Sequence, residues 1–299
     1  MNLTSPREIR ELLDRHGLRP NRALGQNFLV DRNILNAIAD AAEISPLDQV
    51  LEVGPGLGAL TEVLLERAKR VVAVELDAGL HRILQARWGK HPNLCLLHGD
   101  ALDLDHAALS AQGITCLVSN LPYSVGTRVI VDAATQAEPV GRMVVLVQRE
   151  VAERFCAQPG TPEIGAISVW LQQAYCVEVL RLVKPTCFLP KPDVMSAVVR
   201  MRRQEKHPLD AAERETLREL TRLGFQQRRK QLATVLRSAG VGKPSCAAAK
   251  TAGPRAIAAV LEECGIAGAA RPEELAVEQW CALARAIQRE GCFRSRESS

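Results

Sequence analysis

A short apolar segment that ends in three closely spaced glycines constrains this chain more than any other feature. The segment Gln49–Val53 is predicted to be a buried strand, and Gly54, Gly56 and Gly58 follow it at alternate positions. Glycine lets a backbone turn tightly and approach a ligand where a Cβ atom would collide. Because Thr61–Arg67 then continues as a predicted helix, the stretch has the strand, turn and helix N-terminus of a nucleotide-type site.

The next predicted strand ends in an acid, Glu75, at about 20 residues past the first glycine, where the acid that bonds a ribose usually stands. A carboxylate there can accept both ribose hydroxyls, which favours an unphosphorylated ribose. The glycines leave the nucleotide open. Gly54, Gly56 and Ala59 satisfy the dinucleotide-binding pattern, whereas Gly54, Gly56 and Gly58 equally satisfy the turn of S-adenosylmethionine (SAM)-dependent methyltransferases.

Alternating strands and helices follow this turn and predict an α/β fold with a seven-stranded, mostly parallel sheet and helices on both faces. Ligands bind such sheets at the carboxyl ends of the strands, where Gly54, Glu75, Asp100 and Asn120 fall. From Asp210, which forms a capping box with Glu213, the pattern is wholly helical. We expect a nucleotide-binding domain over residues 1–205 and a small all-α C-terminal domain over residues 206–299.

Composition excludes several classes of protein. The chain is 47% hydrophobic and 24% charged, with no apolar run of membrane-spanning length and no apolar signal core at its N-terminus, so we expect a cytoplasmic protein without a membrane partner. Its nine cysteines stand singly, without a Cys-x-x-Cys pair, and its six histidines are dispersed. We therefore expect reduced cysteines and no metal site.

The net charge of +4 is unevenly distributed along the chain. Residues 1–180 carry a formal charge of −5 and residues 181–299 carry +9. A basic C-terminal third indicates a polyanionic partner, although charged residues also solvate ordinary helices. The basic run Arg228, Arg229 and Lys230, predicted to lie on a helix that starts the small domain, is the candidate for contact with RNA phosphates.

One segment distinguishes between the candidate classes of enzyme. It follows the fourth predicted strand and comprises Asn120, Leu121, Pro122 and Tyr123. The exocyclic amine of adenine is a poor nucleophile, because its lone pair is spread into the ring. Acceptors that hydrogen-bond its N–H groups favour a pyramidal, nucleophilic nitrogen. The Asn120 amide oxygen and a backbone carbonyl of Leu121 or Pro122 could supply two such acceptors. Tyr123 offers an aromatic face for a base turned out of its helix.

The chain resembles the ribosomal RNA adenine N6,N6-dimethyltransferases, specifically the branch that acts on small-subunit (16S) rRNA. The resemblance extends over nearly the whole chain and rests on an ordered set of segments. These are Leu24–Leu29, Glu52–Gly58, Val74–Asp77, Gly99–Ala101, Asn120–Tyr123, Phe188–Ser196 and Gly224–Lys230. The chain departs from many members at Leu24, where they have Phe, and at Ser124, where they have Asn.

The resemblance implies a role for each matching residue. Asn27 and Leu29 would close over SAM, Gly54 would pack against its amino-acid portion, and Glu75 would bond its ribose. Asp100 would accept from the adenine amine of SAM, and Asn120 would lie between the cofactor and the target base. Tyr123 and Phe188 would form aromatic walls on the two faces of the target adenine. Leu121 and Pro122 would shape the acceptor turn.

The resemblance also implies the reaction and its setting. Two adjacent adenosines in a hairpin near the 3′ end of small-subunit rRNA would each receive two methyl groups, within the small ribosomal subunit and as part of its biogenesis. We expect a monomer. Three alternatives remain: the same chemistry on large-subunit rRNA, a nicotinamide dehydrogenase that uses the same glycines, and a non-catalytic ribosome-assembly factor.

Overall fold

The computed structural model of the protein describes residues 1–21, 24–135, 139–241 and 257–290. Its contacts divide the chain into two compact units. The first comprises Met1–Glu153 and Val177–Arg203, and the second comprises Arg154–Cys176 and Gln204–Ser299. The second unit therefore takes in Arg154–Cys176, a segment that precedes the domain boundary expected at residue 205.

The first unit is built on a seven-stranded sheet, and the sequence prediction of this sheet is confirmed. In chain order the nine strands of the protein's described residues are β1 (Phe28–Leu29), β2 (Gln49–Val53), β3 (Arg70–Glu75), β4 (Leu94–His98), β5 (Cys116–Asn120), β6 (Arg142–Gln148), β7 (Tyr175–Val183), β8 (Phe188–Leu189) and β9 (Ser196–Arg203). The sheet has the order β4-β3-β2-β5-β6-β9-β7. The pairs among β2 to β6 are parallel, whereas β9 runs antiparallel to β6.

Helices connect the strands of the first unit. They are α1 (Pro6–Arg15), α2 (Arg32–Ala41), α3 (Ala59–Leu65), α4 (Ala78–Trp88), α5 (His106–Ala111), α6 (Gly126–Thr135) and α7 (Arg149–Phe155), the last of which crosses into the second unit. Side chains cap several of them. Ser5 accepts from the Glu8 amide at the start of α1, and Asp77 accepts from the Gly79 and Leu80 amides at the start of α4.

The second unit is helical in its described part, apart from the first residues of β7. Its helices are α8 (Ala166–Ala174), α9 (Ala211–Gln226), α10 (Leu232–Ser238), α11 (Ile257–Glu263) and α12 (Val277–Arg289). The predicted capping box of α9 is confirmed, because the Asp210 carboxylate accepts from the Glu213 amide at 2.8 Å and the Glu213 carboxylate accepts from the Asp210 amide at 2.9 Å. Trp280, which is fully buried, lies in the core of this unit beside Phe225.

A two-stranded ribbon stands apart from the main sheet and was not predicted. Strand β1 pairs antiparallel with β8, so that Leu29 lies opposite Phe188 and Phe28 lies opposite Leu189. The Val30 amide extends the pairing by donating to the Cys187 carbonyl at 2.8 Å. The ribbon thus fixes the N-terminal segment against a part of the chain nearly 160 residues away.

Candidate active site

The site begins at the point where the order of the strands reverses. The chain runs outward from β2 to β4 on one side and then returns to β5 and β6 on the other side. Strands β2 and β5 pair only through Val50 with Cys116 and Leu51 with Leu117, so they separate toward their carboxyl ends. There the fully buried Ser119 hydroxyl donates to the Val53 carbonyl. A crevice outside the carboxyl ends at such a reversal is where open α/β sheets bind ligands.

A single cavity at this crevice brings together most of the residues that the sequence singled out. All six expected cofactor residues line it, and so do three of the residues expected at the target base. They are Asn27, Leu29, Gly54, Glu75, Asp100 and Asn120, joined by Leu121, Pro122 and Tyr123. Phe188 is not part of the lining. It is 4% exposed and packs in the core of the first unit.

The glycine turn is shaped by the protein chain that surrounds it. Gly54 has a φ of +67°, a backbone conformation that L side chains rarely adopt, and a Cβ atom there would lie 2.9 Å from Cγ of Pro122. A Cβ atom on Gly56 would lie 3.1 Å from the Phe28 ring. The glycines therefore let the turn, the N-terminal segment and the Asn120–Tyr123 segment approach one another around one cavity.

Glu75 is held by the backbone on both of its oxygens. Oε2 accepts from the Gly56 amide at 3.0 Å, and Oε1 accepts from the Asp77 amide at 2.9 Å. The side chain is 5% exposed, and this burial raises its pKa, although the two backbone bonds act in the opposite direction. Each carboxylate oxygen keeps a second lone pair, so the geometry fits a pair of hydroxyl donors such as those of a ribose.

Asp100 lines the same cavity two residues beyond the end of β4. Its Oδ1 accepts from the Leu102 amide at 2.9 Å and so caps a short 3₁₀ turn at Ala101–Asp103. Within the described ranges, no donor bonds the second carboxylate oxygen, which is free to accept from an amine. Leu76 and Ala101 line the cavity beside it and provide apolar surface.

A second buried acid, Glu52, was not predicted to be a site residue, although it begins the motif Glu52–Gly58. It is 1% exposed, lines the cavity, and accepts from the Thr61 hydroxyl at 2.7 Å. Burial raises the pKa of Glu52 to about 8, and the nearby charge of Glu75 adds to the shift, whereas the bond from Thr61 opposes it. The available signal was a charged residue inside an apolar strand that leads directly into the glycine turn.

The side chain of Asn120 is oriented by the N-terminal segment. Its Nδ2 donates to the Asn27 carbonyl at 3.0 Å, which leaves Oδ1 as a free acceptor, since no donor within the described residues bonds it. The Pro122 carbonyl accepts from the amides of Val125 and Gly126. The Leu121 carbonyl has no such donor in the described part of the chain. Of the two backbone carbonyls considered from the sequence, Leu121 is therefore the one available to an amine.

Residues 24–29 lie against both ends of this arrangement. A Cβ atom on Gly25 would lie 2.9 Å from the Tyr123 amide nitrogen, so the two backbones are in close contact. The Gln26 side chain donates to Asp77 at 3.2 Å, two residues beyond Glu75. The Asn27 side chain donates to the Gly25 carbonyl at 3.2 Å and stabilises the turn of the segment.

Tyr123 and the basic run complete the set of predicted residues. The Tyr123 hydroxyl lies 2.6 Å from the hydroxyl of Ser196, and burial raises the pKa of this tyrosine. In the second unit, Arg228 forms an ion pair with Glu273 at 2.9 Å and donates to the Pro162 carbonyl, also at 2.9 Å.

The basic run does not lie on a helix as expected, because α9 ends at Gln226 and the run occupies the following turn. Arg229 and Lys230 are exposed in this turn, whereas Arg228 is half-buried. The described residues contain no group of three or more histidine, cysteine or acidic side chains arranged to hold a metal ion. No helix among them is both long enough and apolar enough to cross a bilayer.

Comparison with known proteins identifies the family of the chain. The sequence profile of the ribosomal RNA adenine dimethylases matches residues 17–288. The chain belongs to this family. Ribosomal RNA small subunit methyltransferase A of Geobacillus sp. (strain WCH70) is 38% identical over 292 residues, covering 96% of this chain and 98% of that protein. The corresponding protein of Geobacter metallireducens is 38% identical over 274 residues, covering 91% and 96%.

Solved structures agree with the fold. A dimethyladenosine transferase from Plasmodium falciparum matches with a TM-score of 0.77 at 23% identity, covering 88% of this chain and 98% of that chain. The 23S rRNA methyltransferase ErmE matches with a TM-score of 0.64 at 26% identity, covering 88% and 100%. The expected class I methyltransferase fold, the SAM cofactor and the rRNA adenine dimethyltransferase activity are thereby confirmed, and the dehydrogenase alternative is excluded.

Proposed function

We propose that this enzyme dimethylates two adjacent adenosines in the 3′-terminal hairpin of small-subunit rRNA, within the small ribosomal subunit. The observation that carries the chemistry is the Asn120 amide, whose nitrogen is bonded to the Asn27 carbonyl and whose oxygen is left as an acceptor. The choice of the small subunit is supported by relatives named for it, which are 38% identical over nearly their whole length, against 26% for the 23S rRNA enzyme.

The cavity fits SAM by the chemistry of its donors and acceptors. Glu75 would accept from the ribose hydroxyls with the lone pairs that its backbone bonds leave free. Asp100 would accept from the adenine amine through the oxygen that does not cap the 3₁₀ turn. Gly54 gives the amino-acid portion a backbone without a side chain, and Asn27 and Leu29 cover the cofactor from the N-terminal segment.

The acceptors of the chain would then act on the target amine. SAM supplies a methyl group activated by its sulfonium. Asn120 Oδ1 and the Leu121 carbonyl would each accept an N–H of the adenine N6 and hold its lone pair toward that methyl group. The bond from N6 to the methyl carbon would form as the bond from that carbon to sulfur breaks, with S-adenosylhomocysteine as the leaving group. The cationic methylated amine would lose a proton to water. One N–H then remains, so one of the two acceptors suffices for the second transfer. Positioning of this kind supplies much of the rate without a dedicated base.

Tyr123 would stack on the extruded adenine, because it lines the cavity next to these acceptors. We retain Phe188 as the second aromatic wall. It is buried opposite Leu29 in the ribbon and does not line the cavity, so a base would reach its ring only if the ribbon moved. Pro122 would shape the turn through its contact with Gly54 and its bonds from Val125 and Gly126.

RNA attachment is assigned to exposed cations of the second unit. Arg229 and Lys230 would contact phosphates, whereas Arg228, held by Glu273, would shape the turn that presents them. We propose further that residues 1–205 form the catalytic domain and residues 206–299 the RNA-binding domain. The protein would act as a monomer in the cytoplasm, without a metal ion.

The test is transfer of radiolabelled methyl from SAM to unmethylated small subunits, with large subunits and naked rRNA in parallel, followed by nucleoside analysis. Dimethyladenosine in the small-subunit sample alone is the expected result. Label confined to the large subunit would refute the assigned substrate. Cofactor binding without label in any sample would refute catalysis and favour a role in ribosome assembly alone.

A further inference from the structure

The segment Phe188–Ser196 is one of the family motifs, yet the proposed function gives its last residue, Ser196, no role in methyl transfer. Ser196 is the first residue of β9 and is fully buried. Its register on β6 places it opposite Gln148, and the Arg149 amide donates to the neighbouring Met195 carbonyl at 2.9 Å. The backbone of Ser196 is therefore fixed by the main sheet.

The Ser196 hydroxyl points at the wall of the target-base site. It lies 2.6 Å from the Tyr123 hydroxyl, and within the described residues it has no other hydrogen-bond partner. Buried hydroxyls are almost always bonded in folded proteins, because an unbonded one loses its water without compensation. The pair of hydroxyls thus joins the end of the Tyr123 ring to the sheet, across 73 residues of sequence.

Tyr123 depends on this bond more than a core tyrosine would. It lies in the turn between β5 and α6 and lines the cavity, so it is not packed by protein on every side. The backbone amide of Tyr123 lies close to Gly25 of the N-terminal segment. The ring is therefore held at its base by a turn and at its tip by the Ser196 hydroxyl.

We propose that Ser196 is a positioning residue for methyl transfer, which fixes the Tyr123 ring at the angle at which the target adenine stacks. This inference rests on the proposed function, since it assigns Tyr123 to the target base. The same segment would supply Phe188, the second proposed wall of the base site, and Ser196, the hydrogen-bond partner of the first wall. A tyrosine rather than a phenylalanine at position 123 is required for this connection.

Loss of the hydrogen bond between Ser196 and Tyr123 should impair the stacking of the target base and leave SAM binding unchanged. Ser196→Ala is expected to lower kcat on small subunits about fivefold, equal to ~1 kcal/mol. The dissociation constant for SAM should stay close to that of the parent enzyme, whereas the melting temperature should fall by a few degrees, because the buried Tyr123 hydroxyl loses its partner. The second transfer, to a bulkier amine with one N–H, should suffer more, so the ratio of monomethyl- to dimethyladenosine at partial conversion should rise.

Two further variants separate this role from a structural one. Ser168→Ala removes another fully buried hydroxyl, which donates to the Arg154 carbonyl at 2.6 Å in the second unit, and it should leave kcat and the product ratio unchanged. Ser196→Thr keeps a hydroxyl and should restore the product ratio. In a double-mutant cycle with Tyr123→Phe, the double variant should be no slower than Tyr123→Phe alone.

The outcomes are distinct. If Ser196→Ala slows the Tyr123→Phe enzyme by the same factor as the parent, Ser196 acts through the strand and not through the tyrosine, and the inference is wrong. Parent-like kcat and product ratio in Ser196→Ala would also overturn it. A parent enzyme that transfers no methyl to small subunits, while binding SAM, would instead refute the proposed function, and the inference with it.

Discussion

Gly54→Ala tests whether the glycine turn positions the catalytic segment as well as the cofactor. Gly54 has a φ of +67°, and an L residue held in this region costs about 1–2 kcal/mol of stability. The added Cβ atom would also lie 2.9 Å from Cγ and 3.0 Å from Cδ of Pro122. Ordinary carbon contacts begin at about 3.5 Å, so a displacement of roughly 0.5 Å is needed.

Pro122 cannot yield without moving the acceptor turn. Its carbonyl accepts from the Val125 and Gly126 amides, and Asn120 lies two residues before it. We therefore expect the turn and the Asn120 acceptor to shift together. A displacement approaching 1 Å in a catalytic group costs about 100-fold in rate, so a loss of about 10- to 100-fold in kcat is expected.

Gly17→Ala is the matched control for the backbone strain. Gly17 has a φ of +63°, is exposed, and has no heavy atom within 4 Å of an added Cβ atom. Gly17→Ala should lose about 1–2 kcal/mol in a denaturant titration, and Gly54→Ala should lose at least as much, because its Cβ atom also meets Pro122. Only Gly54→Ala should lose activity in single-turnover methyl transfer to small subunits under conditions where both are folded. Equal kcat values for the two variants would show that the contact with Pro122 does not set the catalytic turn.

The other predictions follow from particular side chains. Asn120→Ala should abolish methyl transfer while calorimetric binding of SAM stays measurable; unaltered turnover would exclude the proposed acceptor. Burial raises the pKa of Glu52 from its ordinary value of 4.5 to about 8, so between these two pH values the folded protein binds a proton that the unfolded chain does not. The free energy of unfolding should therefore fall as pH rises through this window, and Glu52→Gln should flatten this dependence in denaturation experiments at a series of pH values. Arg228→Ala should lower stability by about 1 kcal/mol, a value reduced for the partial exposure of its ion pair, with little change in the salt dependence of small-subunit binding. Removing Arg229 and Lys230 together should instead weaken that binding and reduce its salt slope by about 1 for each phosphate that is no longer neutralised, and an unchanged slope would exclude them from the RNA interface.

The parts of the fold that the sequence could predict are those encoded by local pattern. Apolar runs of strand length, glycine turns and capping residues recur along residues 49–148, and β2, β3 and β4 have the bounds that this pattern predicts. The pattern predicts the next strand at residues 115–119, whereas β5 runs over Cys116–Asn120, so Asn120 is the last residue of the strand itself. The carboxyl-end rule then brought Gly54, Glu75, Asp100 and Asn120 to a common cavity.

The parts that could not be predicted depend on pairing between distant segments. Two-residue strands such as β1 and β8 have no periodicity, so only the folded chain shows that Leu29 lies opposite Phe188. The ion pair of Arg228 with Glu273 joins residues 45 positions apart, so no local pattern could indicate it. Hydroxyl pairs such as that of Tyr123 with Ser196 likewise have no local sequence signal.

Residues 24–29 contact both the turn beside the proposed ribose acceptor Glu75 and the proposed acceptor Asn120. Residues 24–29 reach from Asp77, which Gln26 bonds beside the ribose acceptor, to the catalytic turn, where Gly25 contacts Tyr123. The Asn27 carbonyl in the middle of this segment is the only acceptor that the described residues offer to the Asn120 side-chain nitrogen. Displacing the segment would release the Asn120 amide, which could then rotate and present its nitrogen instead of its oxygen to the target amine. Under the proposed function, a closed N-terminal segment would therefore orient the Asn120 acceptor as well as cover SAM.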